Sequence, residues 1–114
     1  MMDENFGNLN RSAIVLAYKQ PFADWLNSQE KDFTFNLADH ESDIYLLPDF
    51  ETPEEMEKRL NKNFDLLFTP KLFGWYMDES MWPQNRTFNM FQNWFHYTLH
   101  TMIFDTQKAP IQKF

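Results

Sequence analysis

The chain has no cysteine, only two glycines and no long apolar run, and each shortage removes a class of function. Without cysteine there is no disulfide, no thiolate nucleophile and no thiolate metal ligand, a composition that suits a reducing compartment. Gly7 and Gly74 stand far apart, so no glycine-rich turn exists to cradle phosphate or a dinucleotide. No stretch approaches the roughly 18 apolar residues of a membrane-spanning helix. The opening Met1-Met2-Asp3-Glu4-Asn5 lacks the basic start and apolar stretch of a signal peptide. The chain therefore reads as cytoplasmic, with no membrane partner. Basic residues are also scarce: 10 Lys and Arg face 17 Asp and Glu, for a net charge of −7. Residues 1–60 carry most of the imbalance, with 13 acidic against 5 basic side chains. Such a surface repels phosphate backbones and anionic lipid, so nucleic acid is not an expected partner.

What is present is enough to fold. At 114 residues the chain suits one domain, and 13 Phe with 4 Trp supply a core without covalent staples. Residues 1–10 read as a loose arm, 11–105 as a single α+β domain and 106–114 as a tail. The continuous apolar run Ala13-Ile14-Val15-Leu16-Ala17-Tyr18 predicts a central strand over 12–18, buried on both faces. Pro21 opens a short helix over 21–28 whose Phe22, Trp25 and Leu26 share a face. Phe33, Phe35 and Leu37 alternate in an otherwise polar stretch and suggest a short edge strand. Asp43-Ile44-Tyr45-Leu46-Leu47 predicts a second strand, stopped at Pro48.

Thr52-Pro53-Glu54-Glu55 is a strong helix start: a hydroxyl cap, a proline at the first position and acidic residues at the positive end of the dipole. Met56, Leu60, Phe64, Leu67 and Phe68 give that helix, 53–68, an apolar face, and Glu54/Lys58 and Glu55/Arg59 sit four apart on its wet side. Thr69-Pro70 repeats the cap signature and predicts a break, with a second short helix ending near Gly74. Residues 75–86 show no periodicity and read as a packed loop. Thr87 caps a further short helix carrying Phe88, Phe91 and Trp94 or Phe95. The last element, 96–104, fits a strand or a continued helix, and its Tyr, Thr, Ile and Phe content favours the strand. The expected fold is α+β: about three strands packed against helices in β-α-β-α-α-β order, with helices over one face. The crossover through 21–28 would be right-handed if the first two strands ran parallel.

Chemistry-bearing residues are few. His96 and His100 would share a face and grip one metal ion on a helix, but on a strand four residues separate them by about 13 Å. No metal and no cofactor are therefore expected, and half-exposed sheet histidines are the simpler reading. His40 lies in a polar loop. Asp78 and Glu79 are the carboxylates to watch for acid–base work, because Trp75, Trp82 and Arg86 surround them in sequence; a structural ion pair fixing the loop is the plainer account. Trp75, Trp82 and Trp94 form a candidate interaction patch, weighed against simple core filling. No serine has the context of a nucleophile elbow.

Taken together, Asn10-Arg11-Ser12-Ala13-Ile14-Val15, Lys19-Gln20-Pro21-Phe22 with Trp25, Ile44-Tyr45-Leu46-Leu47-Pro48, and Trp75 to Arg86 with Trp82-Pro83, Phe91 and Trp94-Phe95 resemble a family of small bacterial proteins of unknown function. The resemblance spans most of the chain and implies a bacterial, cytoplasmic setting, but no activity and no catalytic residues. Tyr76 departs from the more polar residue expected there. The leading expectation is a non-enzymatic protein-interaction or regulatory module, working with a protein partner or as a homodimer. Its rivals are a small enzyme or ligand-binding protein using Asp78, Glu79 and Arg86, and an acidic mimic of nucleic acid.

Overall fold

A computed structural model describes residues 7–30, 32 and 34–112. The chain passes through β1 (Gly7–Asn8), β2 (Arg11–Tyr18), α1 (Gln20–Gln29), β3 (Asp43–Pro48), α2 (Pro53–Asn63), α3 (Asp65–Phe73), α4 (Phe88–Trp94), β4 (Phe95–His100) and β5 (Phe104–Asp105). The fold is α+β. Its main sheet has the order β3-β2-β4 and is antiparallel throughout, so the question of a right-handed parallel crossover does not arise. The aliphatic run expected to be central is central, and the ambiguous last segment opens as a strand.

Register assigns the two faces. Ser12, Ile14, Leu16 and Tyr18 point to one side with Tyr45 and Leu47 of β3 and Phe95, Tyr97 and Leu99 of β4. All four helices serve that side. The opposite side carries Ala13, Val15 and Ala17 beside Ile44, Leu46, His96, Thr98 and His100. Among the described residues no helix lies over it, and Ile44 is 67% exposed. The expectation that β2 is buried on both faces is corrected accordingly: the outer face is screened by neighbouring strand side chains, not by a second layer.

Several boundaries also differ. The expected loose arm is paired from Gly7, through β1 with β5 and a Leu9 N–H to Ile103 carbonyl bond of 2.7 Å; residues 1–6 lie outside the described residues. The last strand stops at His100 and not at residue 104, because Phe104 and Asp105 leave to pair with β1. Among the described residues of 29–42 there is no strand, and Phe33 lies outside them. There Phe35 is gripped by one side chain: Asn27 accepts from its N–H at 2.6 Å and donates to its carbonyl at 3.4 Å.

The expected helix 53–68 breaks earlier than predicted. Its interruption falls at Phe64, next to Asn63, whose amide turns back onto the Arg59 carbonyl at 2.9 Å. Pro70, expected to start a new helix, lies inside α3. Thr69 does not cap; its hydroxyl donates to the Asp65 carbonyl at 2.7 Å. The amide missing at Pro70 leaves the Leu66 carbonyl without its helical donor. The other caps form as read: Thr52 Oγ1 accepts from Glu55 N–H at 3.2 Å, and Thr87 Oγ1 from Met90 N–H at 3.1 Å.

The core is a meeting of rings. Phe22 of α1, Phe68 of α3, Phe91 of α4 and Phe95 of β4 are all fully buried. The Phe95 ring centroid lies 5.5, 5.2 and 5.1 Å from those of Phe22, Phe68 and Phe91. Phe95→Ala deletes the shared partner of three elements and should cost about 3–5 kcal/mol, most of the stability of a small domain. Urea unfolding should show a collapsed midpoint for Phe95→Ala and a smaller loss for Phe95→Leu.

Candidate functional site

Residues 75–86 are held by tryptophan and arginine donors aimed at backbone carbonyls. Trp82 Nε1 donates to the Tyr76 carbonyl at 2.8 Å, and Trp25 Nε1 reaches in from α1 to the Met81 carbonyl at 3.2 Å. Arg86 donates to both Asp65 carboxylate oxygens, at 2.8 and 2.9 Å, and to the Pro83 carbonyl at 3.0 Å, with its guanidinium 5.8 Å from the Trp82 ring. Asn85 takes the left-handed conformation, φ 56°, that the turn requires where no glycine stands.

The carboxylates singled out in the sequence do not act together. Asp78 caps a 3-10 turn (Glu79–Met81), and the Ser80 hydroxyl and N–H, at 2.7 and 3.0 Å, hold its carboxyl below the usual carboxylate range. A general acid needs the opposite shift. Glu79 does face Arg86, across an open hollow of about 590 Å³ shared with Asp65, Thr69, Pro70, Phe73 and Trp82. Asp65 thus occupies the guanidinium expected to orient a substrate, and that ion pair holds the Arg86 pKa above its ordinary value despite partial burial.

The three tryptophans are spread through the packing. Trp82 is buried, Trp94 is half-buried against Phe22, Phe68 and Trp25, and Trp75 donates to the Tyr18 hydroxyl at 3.3 Å. His96 and His100 are exposed on the outer sheet face, with Thr98 Oγ1 2.8 Å from His100 Nε2. Among the described residues no three His, Asp or Glu side chains converge as a metal site requires. His40 stacks on Phe35 with ring centroids 4.3 Å apart.

Two features were not foreseen. Lys71, on the last turn of α3, is buried at the sheet edge, where its ammonium pairs with Asp43 and lies 5.3 and 5.4 Å from the Tyr18 and Tyr45 rings. Burial pulls its pKa down, but the bonds with Asp43 and Tyr45 outweigh it and leave the group above its ordinary 10.5. A lone lysine inside Leu-Phe-Thr-Pro-Lys-Leu-Phe was the available signal. The second is a groove of about 420 Å³ between the end of β3 and helices α2 and α3, lined by Leu47, Pro48, Phe50, Met56, Leu60, Leu66 and Leu67, with Arg59 and Asn63 at its rim. Its signal was Leu66-Leu67-Phe68, three apolar neighbours that one helix face cannot all bury.

No family model, curated protein or solved structure matches the chain. No helix among the described residues is long and apolar enough to cross a membrane.

Two tests follow from these contacts. Arg86→Lys replaces a two-pronged grip with a point charge and should cost about 1 kcal/mol in urea unfolding. Because the folded state holds the Lys71 proton more tightly, the stabilisation is complete below 10.5 and lost as pH rises through the raised folded value. Tyr97, whose pKa burial raises, adds a loss of the same sign at alkaline pH. Stability measured from neutral to strongly alkaline pH should therefore fall, and Lys71→Met should flatten that fall without removing it.

Proposed function

We propose that the chain is a non-enzymatic protein-interaction module that works as a homodimer through the uncovered face of its main sheet. The observation that carries this reading is the composition of that face. Its outward positions, Arg11, Ala13, Val15, Ala17, Ile44, Leu46, Pro48, His96, Thr98 and His100, include no carboxylate. Two copies each of charge −7 repel one another over most of their surface, so a carboxylate-free patch with exposed Ile44 and Leu46 is where they meet at least cost. Packed about a two-fold axis, two such faces form a sandwich with the ordinary sheet spacing of about 10 Å.

Acid–base chemistry at residues 75–86 has less support, since Asp78 is held ionised and Arg86 is already paired.

Light scattering on a size-exclusion column should give twice the 13.9 kDa chain mass. The double variant Ile44→Lys, Leu46→Lys changes two exposed side chains and should give a folded monomer with an unchanged circular dichroism spectrum. A wild-type monomer at every concentration up to the millimolar range would overturn the proposal.

A further inference from the structure

On the helix side of the sheet, away from the bare face, the groove beside β3 has the properties of a ligand site. Its floor is Met56 and Leu60, both buried, and its outer wall is Leu66, 72% exposed. The backbone of Phe50, at the end wall, is anchored: its N–H donates at 3.0 Å to the hydroxyl of Ser12, a fully buried side chain on the central strand. The groove's volume of about 420 Å³ falls within the range of small-molecule sites, which are mostly apolar with a few placed polar groups.

The polar group here is Arg59. Among the described residues the ion pairs are Lys71 with Asp43 and Arg86 with Asp65, so the guanidinium at the groove's rim has no carboxylate within ion-pair reach; the spacing with Glu55 does not close. A smaller hollow adjoins the groove and brings Lys58 and Lys62 beside Arg59 and Phe50, with Glu55 as its one acid. On an acidic chain this is a local excess of positive charge at the mouth of an apolar recess. We infer that the groove binds a free aliphatic carboxylate, its chain of about ten carbons along Leu60 and Leu66 and its head group on the Arg59 guanidinium.

The recess admits a single chain and offers no broad basic surface, so the occupant is the monomeric acid and not a membrane. Decanoate titrated below its micellar concentration into the full chain, followed by methyl NMR and calorimetry, tests this. One saturable site should appear, with shifts confined to Leu47, Met56, Leu60, Leu66 and Leu67. Octanoate, two methylenes shorter, should bind about ten-fold more weakly. Decanol, and decanoate with Arg59→Gln, should each lose about ten-fold. Leu66→Glu, an exposed change that leaves the core intact, should abolish binding. Non-saturable shifts, equal affinity for Arg59→Gln, or capture of the protein by anionic phospholipid vesicles would each overturn the inference. The variants leave Ile44 and Leu46 untouched, so the result is independent of the oligomeric state.

Discussion

Phe95 is the residue on which the arrangement of the other elements depends. It is at once the C-cap of α4 and the first residue of β4, with no loop between them. It lies opposite Tyr18 in the sheet and touches Phe22, Phe68 and Phe91 from three helices. A single side chain therefore joins the start of the last strand to three of the helices. Because that junction is at the β2 and β4 side, the helices do not extend fully over β3. The groove between Leu47 and Leu66 and the bare outer sheet are two results of one limit: a helical layer too small to cover three strands on two faces.

The acidic chain places its few cations with economy. Both ion pairs of the described residues use α3: Asp65 at its first turn holds Arg86, and Lys71 at its last turn holds Asp43. Each charge sits at the end of the helix dipole that favours it. One short helix thereby ties the irregular residues 75–86 to one end of the fold and the edge strand β3 to the other. Lys71 is the more demanding of the two, since a buried ammonium persists only where a carboxylate and polarisable rings replace water.

Elements with strong local chemistry were legible in the sequence. Ala13 to Tyr18 read as a strand, and Thr52-Pro53-Glu54-Glu55 and Thr87 as helix starts. Errors arose where a tertiary partner decided the outcome. Thr69-Pro70 carries the signature of a helix start, yet packing of Phe68 and Leu72 carries α3 straight through it. The last strand loses Phe104 to β1, a pairing no local pattern announces. At the expected site, sequence adjacency put Asp78 and Glu79 near Arg86, but the true partner of Arg86 is Asp65, 21 residues away. Spacing along a chain reports on distance in space only within one regular element.

The position of β2 between β3 and β4 also orders events in time. During synthesis the apolar strand Arg11–Tyr18 is made before β3, which gives it one neighbour. Its other edge stays bare until Phe95–His100 has been made, because Ala13 pairs with His100 and Tyr18 with Phe95. From the making of β2 until that of β4, a nascent chain therefore carries an unpaired, strongly aliphatic strand edge, the state most open to chaperone capture or to misassembly between neighbouring ribosomes.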